Sequence, residues 1–254
     1  MPRQFALFLT AVQFLTRVPV PMLRDFQPDW TARSARYFPL VGALVGVASG
    51  LVLIATSYGW SGVLPALLAT TAGTLITGAF HEDGLADAAD GLGGGQTPER
   101  RLEIMKDSRV GTYGVLALGL AVALKVAALG QTPMPLVLAS LVAAHAGGRG
   151  AAVLAMRLLP YAGDRAWTKV KPVADGVTTS EVVVALSFMA LALLPALLLA
   201  PIATVGALAV AAVCALVMAL LARRLIGGWV GDTLGATEQV FEMGFLVVFA
   251  GLVA

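Results

Sequence analysis

Glu82, Asp83, Asp87 and Asp90 place four carboxylates within nine residues of the segment HEDGLADAADGLGGG, His81 to Gly95. Asp83, Asp87 and Asp90 are spaced i, i+4, i+7 and share one face if the segment is helical. Three like charges on one face repel unless a cation joins them. Oxygen donors at this density suit a hard ion. Mg2+ is commonly held by one or two carboxylates and completed by water and substrate phosphate oxygens. The chemistry such a site serves is phosphoryl transfer, with the metal neutralising phosphate charge. The competing reading is a solvated acidic helix end.

Other residues offer partners for that chemistry. Glu82 and Asp232 are further metal-ligand candidates and Asp232 could also contact a nucleotide substrate, although Asp232 or Thr233 could instead cap the last helix. Gly84, Gly91, Gly93, Gly94 and Gly95 allow a sharp turn or a close backbone approach to a ligand. No Lys-Ser or Lys-Thr pair follows them, so a P-loop is excluded. His81 lies about 200° from Asp83 on a continuous helix and faces away from the aspartates. It joins them only if the helix breaks near Gly84, as a general base; otherwise it is a helix-end residue bonded to backbone. In KDSRVGTYG, Lys106 and Arg109 can hold phosphate, with Asp107 and Thr112 beside them as substrate contacts. Membrane anchoring also explains these cations. His145 and Arg149 stand at i, i+4 inside an apolar run, where an ionisable pair is costly unless it faces a polar cavity. Arg149 is therefore a substrate-binding candidate, whereas Lys125 can snorkel to an interface.

The elements that position these groups are membrane helices. Of the 254 residues 58% are hydrophobic and 13% charged, and the mean hydropathy is +0.86, far from a soluble domain. Seven runs approach the roughly 20 apolar residues that cross a bilayer: about 38–58, 62–80, 113–130, 135–156, 181–200, 202–222 and 239–254. Ahead of them, Phe5, Phe8, Leu9, Ala11 and Val12 form a stripe beside Arg3 and Arg17 that suits a short interfacial helix. No small-x-small cleavage site follows it, so it reads as retained. The expected fold is all-α: one membrane-embedded domain, 1–254, of about seven spanning helices plus that interfacial helix. Cys214, the sole cysteine, excludes an intrachain disulfide and a Cys-based metal site. A net charge of +2 with no basic stripe excludes a nucleic-acid partner.

Charge sets the expected topology. Residues 1–37, 81–112, 157–180 and 222–238 hold 15 of the 17 basic residues, and the connections between them near 58–61, 130–134 and 200–202 hold no charge. The positive-inside rule makes the charged regions cytoplasmic loops. Tyr58 and Trp60 then mark the outer interface, and Tyr161, Trp167 and Trp229 the inner one.

HEDGLADAADGL at 81–92, DSRVGTYG at 107–114, FLTRVPVP at 14–21 and GDTLGA at 231–236, collinear over most of the chain, resemble the adenosylcobinamide-GDP ribazoletransferase (cobalamin synthase) family. The resemblance implies an Mg2+-dependent enzyme of the bacterial cytoplasmic (inner) membrane, with its active site facing the cytoplasm. It implies two substrates, adenosylcobinamide-GDP and alpha-ribazole or alpha-ribazole 5'-phosphate, with membrane lipid around the chain and homo-oligomerisation left open. GMP leaves, and adenosylcobalamin or its 5'-phosphate forms. Asp83, Asp87 and Asp90 match the acidic motif, His81 begins it, and Asp232 lies in the C-terminal motif. The expected roles are Asp87 and Asp90 as metal ligands, Asp83 as bridge or base, and Lys106 or Arg109 on the pyrophosphate. A CDP-alcohol phosphotransferase is the alternative enzyme, but its D-x-x-D-G-x-x-A-R pattern meets Gly94 and Gly95 at the A-R positions. A corrinoid transporter is the alternative outside enzymes.

Overall fold

A computed structural model describes residues 2–22, 26–163 and 176–254. Arg24, Arg165, Trp167, Lys169 and Lys171, counted above among the loop cations and interface aromatics, lie outside the described residues.

In chain order the helices are α1 (Arg3–Leu15), α2 (Trp30–Ser34), α3 (Phe38–Thr56), α4 (Leu64–Thr77), α5 (Phe80–Gly94), α6 (Pro98–Met105), α7 (Thr112–Gln131), α8 (Met134–Leu158), α9 (Thr179–Leu199), α10 (Pro201–Ile226) and α11 (Gly231–Val253). Proline opens the first turn of α3, α4, α6, α8 and α10, where its missing N–H has no helical partner to lose. Each of the seven apolar runs becomes a helix, but among the described residues six segments are long and apolar enough to span: Trp30–Thr56, α7, α8, α9, α10 and α11. The run expected at 62–80 is the exception. Its helix α4 has 14 residues, about 21 Å of rise, against a hydrocarbon core of about 30 Å. It is cut short by two successive left-handed residues, Gly78 (φ 68°) and Ala79 (φ 59°), whose N–H groups close onto Leu75 and Thr74 carbonyls.

Close backbone approach holds the bundle together, as expected where lipid offers no hydrophobic contrast. A Cβ on Gly42 or Gly46 of α3 would lie 2.4 Å from the His145 carbonyl oxygen or 2.6 Å from that of Leu141 on α8. Ala203, Ala207, Ala211 and Ala215 bury one face of α10 in the core cluster that Phe241, Phe245 and Phe249 of α11 also enter. The other sides of α9 and α10 leave Leu198 and Ile202 exposed, as lipid-facing residues would be.

One expectation about the periphery changes. Helix α1 forms as expected and buries Leu7, Leu9, Thr10, Ala11 and Leu15 while leaving Phe5 half exposed. Tyr58 and Trp60 are exposed, but Trp229 is buried and packs edge-on to Tyr161 at 4.9 Å. Their backbones form an isolated bridge that ties the end of α8 to the α10–α11 connection, which removes Trp229 from any interfacial belt.

Candidate active site

The acidic segment is not a loop. It forms α5, and the glycines expected to loosen it are packing contacts. A Cβ on Gly84 would lie 3.0 Å from the Asp232 carbonyl oxygen and 3.2 Å from its Cα, and a Cβ on Gly235 would lie 3.2 Å from the His81 carbonyl oxygen. Helices α5 and α11 therefore cross backbone against backbone, and the crossing sets Asp232 beside the acidic face of α5. Asp232 is not the helix cap: the Val230 N–H donates to Thr233 Oγ1 at 2.9 Å. The Asp232 carboxylate is left to face the acids, and it lies close enough to Asp83 and Asp87 for mutual repulsion.

Within this group Asp83 is exposed, Asp87 and Asp232 are half-buried and Asp90 is buried. Burial, then the charges of Asp83 and Asp90, push the Asp87 carboxyl up to about 6. Asp90 is held differently. Its Oδ2 accepts the Gly111 N–H at 2.7 Å and its Oδ1 the Gly114 N–H at 2.9 Å, at the start of α7, where N–H groups lack helical partners. A Cβ at either glycine would meet an Asp90 oxygen at 2.4–2.5 Å, which explains the two glycines of GTYG. Asp90 thus docks α7 on α5, and these two bonds leave carboxylate lone pairs for the metal role expected of it.

The remaining expected contacts scatter. Arg109 is exposed and pairs with Asp107, its Nε donating at 3.0 Å and its Nη2 at 2.5 Å; that pairing holds the Asp107 carboxyl down at about 2. Lys106 and Thr112 are exposed. Glu82 turns away from the aspartates, and its Oε1 lies 3.5 Å from Thr74 Oγ1 and 3.4 Å from Gln239 Nε2. His81 also faces away, as its 200° offset requires, with Nδ1 3.5 Å from Arg149 Nη2 and 4.0 Å from Glu238 Oε2. Burial and the Arg149 charge hold its imidazole well below the ordinary value, so the ring is neutral.

His81 belongs to a second constellation that the sequence reading missed in part. Arg149 Nη1 donates to Glu238 Oε1 at 2.6 Å and Glu242 Oε1 at 3.2 Å. His145 Nδ1 lies 2.5 Å from Glu242 Oε1. Lys125 does not snorkel: it is buried, with Nζ 2.6 Å from Glu242 Oε2 and 2.7 Å from Gln239 Oε1. Glu238 and Glu242 were overlooked, yet two acids at i, i+4 on an apolar helix carry the same signal as His145 and Arg149. Among the described residues, His145, Glu238 and Glu242 are the group whose ligand atoms gather within 4.8 Å. Both glutamates pair with Arg149, and Glu242 also pairs with Lys125, so this group is an internal ion-pair network with its cations in place.

The acids at the α5–α11 crossing differ in that no basic side chain pairs with Asp83, Asp87 or Asp232 among the described residues; the charges that act on Asp87 are acids alone. An unneutralised, oxygen-only donor set fits a hard cation. The fit is that of Mg2+, which needs few protein ligands, and the carboxylates need not close into a cage.

The family model described as cobalamin-5-phosphate synthase matches residues 7–250. The chain belongs to this family. The cobalamin-5-phosphate synthase match takes in both helices of the crossing. Curated relatives named adenosylcobinamide-GDP ribazoletransferase agree: one from Leptothrix cholodnii is 45% identical over 246 residues, covering 93% of this chain and 92% of its own. One from Shewanella amazonensis is 43% identical over 95% of this chain and 93% of its own, and one from Polaromonas sp. is 41% identical over 96% and 95%. No solved structure matches. As a member of the cobalamin-5-phosphate synthase family the chain is a transferase embedded in a membrane.

The crossing itself can be tested. Gly84→Val puts methyl groups against the Asp232 backbone, so the variant is expected to lose about 1–3 kcal/mol of stability from overpacking, and more than tenfold in turnover, since even small displacements of positioned groups cost about 10²-fold. Thermal unfolding and initial rates of the purified variant check both; wild-type values would mean that the contact does not set the site.

Proposed function

We propose that this enzyme transfers the adenosylcobinamide phosphate moiety of adenosylcobinamide-GDP to alpha-ribazole or its 5'-phosphate, releasing GMP, with Mg2+ as cofactor, on the cytoplasmic face of a bacterial inner membrane. The observation that carries this reading is the unpaired cluster of Asp83, Asp87 and Asp232, from two helices crossing at glycine, in a chain of this family. Segments 81–112, 157–180 and 222–238, separated from one another by pairs of spanning helices, hold 10 of the 17 basic residues, which supports the cytoplasmic placement of that face.

Because the acceptor keeps a 5'-phosphate in the product, the attacking oxygen is a ribose ring hydroxyl. It bonds to the phosphorus attached to cobinamide, the bond from that phosphorus to the bridging oxygen breaks, and GMP departs with the electron pair. Asp87 and Asp232 would hold Mg2+, which when bound supplies neutralising charge to the pyrophosphate. Asp83, the exposed member, takes the hydroxyl proton and returns it to solvent. Asp90 holds the start of α7 against α5, and Lys106 or Arg109, in the segment just before α7, is proposed to steady the pyrophosphate. Product analysis tests the reading: purified protein given both substrates and Mg2+ yields GMP and a cobalamin product, whereas GDP release or no nucleotide release would contradict it.

The acids also predict a pH-dependent response to metal. A carboxyl at about 6 in the folded protein against 3.8 ordinarily binds its proton more tightly when folded. Its contribution to stability is present at low pH and lost as pH rises through 6. Without metal the ionised cluster is therefore strained at pH 8, and a bound cation relieves it. Mg2+ should raise the melting temperature more at pH 8 than at pH 5, measured by thermal unfolding; an equal or reversed increment would count against a shared ion.

A further inference from the structure

On the other side of the crossing lies a cavity of about 220 Å3 that no step above uses. Its walls are aromatic: Phe14 and Phe38 stack at 5.7 Å, Phe80 meets Phe14 edge-on at 5.4 Å, and the Tyr161–Trp229 pair forms another wall. Its polar lining includes His81 and Arg149. Arg149 is 2% exposed, and its Nε has no hydrogen-bond partner among the described residues. His81 Nδ1 lies 3.5 Å from Arg149 Nη2. Gly231 of α11 borders the cavity, and the next residue, about 3.8 Å away by Cα spacing, is Asp232. FLTRVPVP, which the transfer chemistry leaves without a role, contributes Phe14 and Leu15 to the same cavity.

An apolar pocket with a few convergent polar groups beside reactive residues is the usual form of a small-molecule site. Flat aromatic walls favour a flat aromatic guest, since offset and edge-on ring contacts add to simple burial. The unpartnered Arg149 Nε–H calls for an acceptor on that guest. A saturated acyl chain would satisfy the walls and leave that donor unmet.

We infer that this cavity binds the planar heterocyclic base of the nucleoside acceptor, with the aromatic residues sandwiching the ring and Arg149 donating to its unsubstituted ring nitrogen. The ribose then leaves past Gly231 toward the acids. This rests on the reading of the reaction above and assigns the half of the substrate pair that the acids do not touch. Size selection follows from Ala152, Met156 and Leu234, which line the cavity and carry no chemistry.

The experiment has two arms. In steady-state GMP release, Ala152→Phe and Leu234→Trp, which narrow the cavity from two different helices, should each raise the KM for alpha-ribazole by about tenfold or more, with the KM for adenosylcobinamide-GDP unchanged. Met156→Ala should accept a riboside of a larger tricyclic base that the wild type rejects. In the second arm alpha-ribazole alone is titrated into wild-type protein in nanodiscs; it should quench tryptophan fluorescence, and Trp229→Phe should abolish the quench. Folded Ala152→Phe and Leu234→Trp proteins with unchanged acceptor KM would overturn the inference while leaving the transfer reaction standing. A co-purified lipid in the cavity that alpha-ribazole does not displace would also overturn it. Quenching by alpha-ribazole through Trp229 without any GMP release would uphold the cavity and sink the reaction.

Discussion

Asp87→Asn yields a folded, membrane-inserted protein whose GMP release falls on the order of 10²–10³-fold, the loss of about 3–4 kcal/mol that one preorganised charge contributes to a transition state. Asparagine keeps the shape and one oxygen but removes the charge that helps hold the cation. The same change relieves repulsion from Asp83 and Asp90, the charges that push the Asp87 carboxyl up, so the metal-free variant should melt at a higher temperature than wild type at pH 8. Gain of stability with loss of rate marks a residue held in strain for function. A merely structural acid would move both the same way. Asp90 provides that contrast: its oxygens accept two N–H groups of α7, so Asp90→Ala should lower stability by about 1 kcal/mol, as loss of a helix cap does. Full turnover and an unchanged melting temperature in Asp87→Asn would remove Asp87 from the site.

The second large effect concerns the buried network. Arg149→Met is expected to cost about 3–5 kcal/mol, because removing one partner of a buried ion pair leaves uncompensated charge. Glu238 would then lose its Arg149 partner while Glu242 kept Lys125, with both glutamates fully buried. Restoring charge balance should recover much of the loss: Arg149→Met with Glu238→Gln should be more stable than Arg149→Met by itself. Thermal unfolding of the two proteins in the same detergent decides it. If the single variant were as stable as wild type, the network would not be part of what holds α8 to α11.

The sequence exposed the acid face of α5 because a charge cluster in an apolar chain is conspicuous and its i, i+4, i+7 spacing is a helix signal. The same periodicity told His81 apart from the aspartates, and it faces the other way. What could not be read is where neighbouring helices cross. Gly84 and Gly235 resemble loop glycines until two backbones are seen to meet through them. Asp90 resembles its neighbours until Gly111 and Gly114, more than twenty residues on, claim its oxygens. Lys125 depends on long-range pairing, because a lysine in an apolar run reads as snorkelling unless a partner is known. The second apolar run looked long enough to span because hydropathy does not register the left-handed break at Gly78 and Ala79.

The sharing of one cation by α5 and α11 at their crossing is tested most directly by single-turnover GMP release from adenosylcobinamide-GDP across an Mg2+ titration, in wild type and Asp232→Asn. The wild type should show no release without Mg2+ and saturate with it, and Asp232→Asn should need about 10- to 100-fold more Mg2+ for half-maximal rate, the loss typical of weakened metal coordination. A wild-type rate independent of divalent metal, or an Asp232→Asn titration that overlays the wild type, would contradict it.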